Sequence, residues 1–140
     1  MAITSALCTS YKQQILSGVH LSTDTYKIAL YTSSATLDAS TTVYSSTNEV
    51  PNGSGYTTGG VTLSGFVTSS SGTTAWLDWT TDPSWSTATI TARGCLIYNS
   101  TQGNKAVAVF DFGSDKISTA GTFTIVFPTA DASNALIRIA

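Results

Sequence analysis

The chain has few of the side chains on which ordinary enzymes depend. Its 140 residues include one histidine (His20), two cysteines, six basic residues and eight acidic residues. A catalytic centre needs a cluster of titratable or nucleophilic groups with tuned pKa values, and this composition does not easily supply one. We therefore expect a protein that binds, packs or coats, with no enzymatic activity, no cofactor and no bound metal.

The charge is low and evenly spread. The six basic residues are scattered along the chain and the net charge is −2. A protein that neutralises phosphates needs a basic stripe, so we do not expect nucleic-acid binding. No apolar run approaches the roughly 20 residues that span a bilayer, so we expect no membrane insertion. Residues 1–10 lack the cationic start and apolar stretch of a secretory signal, so we expect synthesis in the cytoplasm.

The two cysteines, Cys8 and Cys95, are far apart in the sequence and fit no metal-ligand spacing. The favoured interpretation is a pair of buried free thiols, which behave as small apolar residues. A disulfide between them is the alternative.

Serine and threonine are abundant, at 45 residues together. Threonine favours strands because it is β-branched, and its hydroxyl keeps an exposed face hydrated without charge. Alternation in 85–92 predicts that Trp85, Thr87, Thr89 and Thr91 share one face of a strand. Such a face suits lasting contact with other subunits, or is simply a solvated sheet surface.

The hydrophobic pattern predicts one helix followed by strands. Apolar residues at helical spacing favour a helix over 4–18, capped by Thr4 or Ser5 and ended by Gly18. The period then becomes two, as in a sandwich or barrel of about eight short strands in a single domain, 1–140. The principal expected strands are 25–32 (with one wet face), 61–67 (with a bulge at Gly65), 73–80, 85–92, 94–98, 105–112, 122–127 and 135–139.

A long polar connection, 33–60, separates the first two of these strands. We expect a short strand near Val43 and Tyr44 and little other regular structure. A connection of this length in a compact domain is usually functional or ordered by a partner. Tyr44, Val50 and Tyr56 have little local structure to bury them, which makes them candidate interface residues.

Three patterns could be interpreted as catalytic or ligand sites, and each has a simpler explanation. His20 has Asp24 nearby, but no nucleophile elbow accompanies it, so a structural histidine is favoured. Either of two carboxylate pairs, Asp78 with Asp82 or Asp111 with Asp115, could be interpreted as a glycosidase pair. Asp111 and Asp115 could also bind calcium, but their spacing matches no established calcium loop, so a β-turn is favoured there. Trp76 and Trp85 beside Asp78 could form a sugar platform, whereas Trp79 falls in phase with core residues.

Several strings resemble small virion proteins of tailed bacteriophages. They are spread from Tyr26 to near the C-terminus: YKIALYTSSATL at 26–37, NEV at 48–50, GYTTGG at 55–60, WSTATITARG at 85–94, NKAVAVFDFG at 104–113 and ALIRI at 135–139. Among these proteins the chain is most similar to capsid cement (decoration) proteins of the jellyroll type.

The resemblance implies a jellyroll-like two-sheet β-sandwich on the capsid exterior. Such a protein binds a shell of HK97-type major capsid protein, bridges neighbouring subunits and self-associates as a homodimer. The family has no catalytic residues to transfer. Tyr11 and Ile15 of the helix, the three loop residues named above and Trp85 are the candidate interface, although the helix could equally plug one end of the sandwich. A tail, baseplate or head-fibre component is the first alternative, and a glycan-binding module is the second.

Overall fold

The computed structural model describes residues 2–140, which form eight strands and one helix. Five strands make one antiparallel sheet in the order β1-β7-β6-β2-β3, and three make a second sheet in the order β4-β5-β8. This arrangement confirms the predicted all-β, two-sheet fold with one short helix. The elements are β1 (Ala6–Leu7), α1 (Thr9–Leu16), β2 (Tyr26–Tyr31), β3 (Val61–Thr62), β4 (Phe66–Ser71), β5 (Thr74–Trp79), β6 (Ser84–Asn99), β7 (Lys105–Thr124) and β8 (Ile137–Ile139).

An aromatic cluster joins the two sheets. The ring of Tyr26 on β2 lies 5.5 Å from the rings of both Phe66 and Trp79, which belong to the small sheet. Edge-to-face and stacked rings at this distance contribute beyond simple burial of their area. Trp79 is buried, as its phase with the core residues predicts.

Strand β2 is buried on both faces, so the expectation of one wet face is wrong. The segment 33–60 folds back over the outer face of the large sheet. Tyr44 stacks on Tyr98 at 4.5 Å, and the Tyr31 hydroxyl donates a 2.7 Å hydrogen bond to the Ser45 carbonyl oxygen. In place of a short strand at 43–44 there is an isolated bridge between Val43 and Lys105.

The helix is shorter than predicted. It starts at Thr9, with Cys8 as its N-cap residue, and ends at Leu16. Ala6 and Leu7, assigned to the helix from their spacing, instead pair with Val109 and Ala108 as β1. The edge of β7 supplies inter-strand partners for this segment, and that pairing overrides the local helical pattern. Gly18 has a φ of 75°, as expected for a left-handed residue after a helix.

Strands β6 and β7 form one long hairpin. The predicted strands 85–92 and 94–98 are continuous, and β7 runs from Lys105 through the segment expected to separate two strands. A register shift between Trp85 and Ala88, where Thr87 has a φ of 49°, reverses the alternation. Trp85 is therefore buried with Ala88, and its predicted place on the threonine face is wrong. Thr87, Thr89 and Thr91 are exposed as predicted.

Gly65 is a corner between the two sheets. The predicted strand 61–67 is divided there into β3 of the large sheet and β4 of the small sheet. Gly65 has a φ of 81°, and a Cβ at this position would lie 2.1 Å from the Thr80 hydroxyl oxygen. The glycine therefore permits a change of sheet where we expected a bulge within one strand.

Candidate functional site

His20 belongs to a hydrogen-bond network between the helix and the β6–β7 turn. Its Nε2 lies 2.8 Å from Oε1 of Gln14, and its Nδ1 lies 3.0 Å from Nδ2 of Asn99. Asn99 accepts backbone N–H bonds through Oδ1, which fixes its amide and makes Nδ2 the donor to His20. His20 is therefore the neutral tautomer protonated at Nε2. Burial lowers its pKa, against the opposing effect of Asp24.

This network differs from a catalytic triad. Asp24 accepts a 2.8 Å hydrogen bond from Asn99 and another from Gln102, so Asn99 lies between the carboxylate and the imidazole. The imidazole nitrogens bond to two amide side chains, and no serine, threonine or cysteine is among their hydrogen-bond partners in residues 2–140. The structural interpretation of His20 agrees with this geometry.

The two carboxylate pairs hold local structure. Asp78 is fully buried and accepts hydrogen bonds from the backbone N–H groups of Trp79 and Leu136, while Asp82 accepts one from Phe127. Burial raises the pKa of Asp78. These contacts tie β5 and the segment before β6 to the C-terminal part of the chain.

The second pair has a similar local role. Asp111 accepts a hydrogen bond from the backbone N–H of Gly113, and Asp115 forms a 3.1 Å ion pair with Arg93 on β6. The described part of the chain contains no group of three or more histidine, cysteine or acidic residues that could hold a metal. Nor does it contain a helix long and apolar enough to cross a membrane.

Four of the six predicted interface residues are buried within the chain's own core: Tyr11, Val50, Tyr56 and Trp85. The argument that the loop residues lack local structure to bury them is wrong, because 33–60 packs on the large sheet. Ile15 and Tyr44 are half-buried. The Tyr44 hydroxyl bonds to Glu49, whereas Ile15 lines a groove with Tyr11 that faces the small sheet, so the six residues do not form one surface.

A groove separates α1 from the inner face of the small sheet. Its volume is about 520 Å³, and no charged side chain lines it among the described residues. Tyr11, Ile15 and His20 form one wall, and Phe66 and Leu77 belong to the other. The helix contacts β7 of the large sheet, and the groove lies between the helix and the small sheet.

An apolar patch that sequence reasoning missed lies on the long hairpin and the segment after it. We define the hairpin patch as Phe112, Ile117, Ile125 and Val126. Ile117 is 68% exposed and Val126 is 76% exposed. Phe112, Ile125 and Val126 border two neighbouring surface grooves of about 450 and about 330 Å³, and Ile117 borders the larger. The run Ile125-Val126-Phe127 was the available signal, because successive extended residues cannot all face one side.

The surroundings of the hairpin patch are polar. Lys116, Thr122 and Thr124 line the larger groove beside the apolar side chains. An apolar centre with a polar rim is the usual anatomy of a protein–protein contact. Exposed apolar clusters of this type mark interaction sites more often than isolated apolar residues do.

Neither a family model, nor a curated protein, nor a solved structure matches this chain.

Proposed function

We propose that the protein is a non-enzymatic virion structural protein that binds the outer surface of a phage capsid. It bridges neighbouring subunits of an HK97-type major capsid protein and acts as a homodimer. Two features support the proposal: the resemblance of segments between 26 and 139 to phage cement proteins, and a β-sandwich whose polar clusters hold its own loops together.

The hairpin patch is the observation that carries the proposal beyond resemblance. Its two most exposed members, Ile117 and Val126, present apolar area that the rest of the chain leaves uncovered. Burial of apolar area contributes roughly 25 cal/mol per Å², so a protein surface that covers the patch gains affinity from it. In this proposal the capsid subunits supply that surface.

Bridging explains how modest contacts stabilise a shell. A dimer that contacts two neighbouring subunits makes its second contact at a high effective concentration, so avidity exceeds the affinity of either contact. Packaged DNA pushes outward on the seams between capsomers. Copies of the protein across those seams oppose their opening.

The test uses capsids of the phage that encodes the chain, stripped of this protein. Purified protein is added back, cosedimentation measures binding, and cryo-electron microscopy locates it. Ile117→Asp and Val126→Asp place a charge in the hairpin patch and should each weaken binding by roughly tenfold or more, because burying an unpaired charge is costly. Leu16→Asp is the matched control, since Leu16 is 89% exposed but lies on the helix, and it should bind like wild type.

The other outcomes are equally informative. Binding that is unchanged by both patch variants would remove the hairpin patch from the contact. No saturable binding to shells, with the protein found on tails or baseplates in intact virions, would move the chain to the first alternative. Release of DNA on heating at the same temperature with and without the protein would contradict a stabilising role.

A further inference from the structure

The edges of the two sheets are protected unequally. Within residues 2–140, the large sheet ends in β1 and β3, each two residues long, and one edge of the small sheet is the three-residue β8. The β6–β7 hairpin extends beyond β1 and β2, so part of each of its strands also lacks an outer neighbour, but its outer strand β7 carries Asp111, Asp115 and Lys116 there. Short edge strands are one means by which proteins avoid unwanted pairing. The remaining edge, β4 (Phe66–Ser71), is six residues long.

Strand β4 has none of the other common protections. Its sequence, FVTSSS, contains no charge, no proline and no glycine, and its pairing with β5 runs without a register shift. Thr68 to Ser71 are exposed. Among the described residues, the backbone of β4 hydrogen-bonds to β5 alone. Its outer row of N–H and C=O groups is therefore an open template for another strand.

The absence of charge distinguishes β4 from the other strands. Each of the other strands of three or more residues in 2–140 carries at least one charged residue: Lys27 in β2, Asp78 in β5, Arg93 in β6, Asp111 in β7 and Arg138 in β8. In a twofold antiparallel pair, each side chain faces the same segment of an identical strand. A charge there would meet a like charge nearby, which is destabilising.

We propose that β4 pairs antiparallel with β4 of a second copy of this chain, joining two three-stranded sheets into one of six strands. The inference rests on the self-association included in the proposed function, and it names the contact that produces it. A twofold axis gives both copies the same interface, as is usual for dimers. The β4 edge and the hairpin patch share no residue, so the dimer contact and the capsid contact can be tested by separate substitutions.

The test measures the isolated protein without any capsid. Sedimentation velocity across a concentration series compares wild type with Ser69→Lys, which places a lysine on the pairing edge of each copy. We expect a wild-type dimer and dimerisation weakened roughly tenfold by Ser69→Lys, since edge lysines block strand pairing. Thr119→Lys is the matched control: it also replaces an exposed hydroxyl residue in a strand, but on β7, and should dimerise like wild type.

A second measurement locates the contact. Hydrogen exchange should show amides of 66–71 becoming protected as protein concentration rises in wild type, and much less so in Ser69→Lys. A wild-type monomer at all concentrations would overturn the proposal, as would a dimer insensitive to Ser69→Lys. Protection of β4 that occurs only on shells would assign the edge to a capsid strand instead. Because no shell is used in the first experiment, its failure leaves capsid binding through the hairpin patch standing.

Discussion

The Tyr56 hydroxyl donates a 2.6 Å hydrogen bond to Oε1 of Glu49, a carboxylate that is only 8% exposed. The same oxygen accepts a 2.7 Å bond from the backbone N–H of Gly59, and Oε2 accepts a 2.7 Å bond from the Tyr44 hydroxyl. Burial raises the pKa of Tyr56, and its bond to Glu49 raises it further. The long connection 33–60 is therefore organised by its own buried carboxylate.

Removing that carboxylate should loosen the loop. In Glu49→Ala, the Tyr56 hydroxyl and the Gly59 N–H lose their buried acceptor, and each such loss costs roughly 1–3 kcal/mol. We expect a decrease of about 2–6 kcal/mol in the free energy of unfolding, measured by urea titration. Glu49→Gln keeps one acceptor oxygen and should cost clearly less. Equal losses for the two variants would contradict this expectation, because they would show that one neutral amide oxygen of the same side-chain size cannot replace the carboxylate.

Gly60 should be intolerant of any side chain. Its φ is 76°, and a Cβ would lie 1.7 Å from the carbonyl oxygen of Ile28 in the interior strand β2. Gly60→Ala must therefore displace backbone, and we expect it to destabilise the protein by about 3 kcal/mol or more. Gly72→Ala is the control, because Gly72 also has a positive φ but nothing within 4 Å, so its cost should be about 1 kcal/mol. Thermal unfolding of the two variants compares them directly.

The His20 network makes stability depend on pH. Because burial lowers the pKa of His20 below its ordinary 6.5, the fold favours the neutral imidazole. The contribution of neutral His20 to the free energy of unfolding is complete above pH 6.5, and it is lost as the pH falls through the lower pKa that His20 has in the folded state. Asp24 opposes this shift and Lys105 supports it. A proton on Nδ1 would also face the donor amide of Asn99, which is fixed by its other bonds.

Unfolding titrations at a series of pH values between about 7.5 and 5 test this dependence. Wild type should lose stability toward the acidic end. His20→Gln has no titrating ring and should lose less over the same interval, although it is less stable than wild type at neutral pH. Parallel pH profiles for the two proteins would show that the pH dependence in this interval comes from other groups.

The sequence predicted correctly those elements whose conformation depends on residues close in the sequence, and it failed where the deciding contacts come from distant residues. The alternation of residues 25–32 correctly predicted that β2 is a strand. The position of Gly18 after the helix correctly predicted its left-handed backbone conformation. Ala6 and Leu7 were assigned wrongly because their partners, Val109 and Ala108, lie about 100 residues away in the chain. The reversal at Trp85 depends on a bulge at Thr87, and a positive φ at a threonine is not predictable from composition.

The candidate site was harder to predict than the fold. Tyr44, Val50 and Tyr56 were predicted to be interface residues because little regular structure lies near them in the sequence. In the fold, Val50 and Tyr56 are buried, and the hydroxyls of Tyr44 and Tyr56 donate hydrogen bonds to Glu49. The hairpin patch was missed because 113–121 was treated as a connection between strands. Once that segment is part of β7, Ile117 lies on a strand, and its exposure becomes a feature of a continuous surface.

The two cysteines should behave as inert core residues. Cys8 and Cys95 are both buried and unpaired, which confirms the prediction of two free thiols. Burial raises the pKa of Cys8 to about 11, with a smaller contribution from Asp38, and that of Cys95 to about 12.

Since the thiolate is the reactive form, native protein should not react with Ellman's reagent at mildly alkaline pH, whereas denatured protein should yield two thiols per chain. Ser114→Cys adds an exposed thiol and should react promptly in the native state. Rapid reaction of native wild type would mean that the region around Cys8 or Cys95 opens readily.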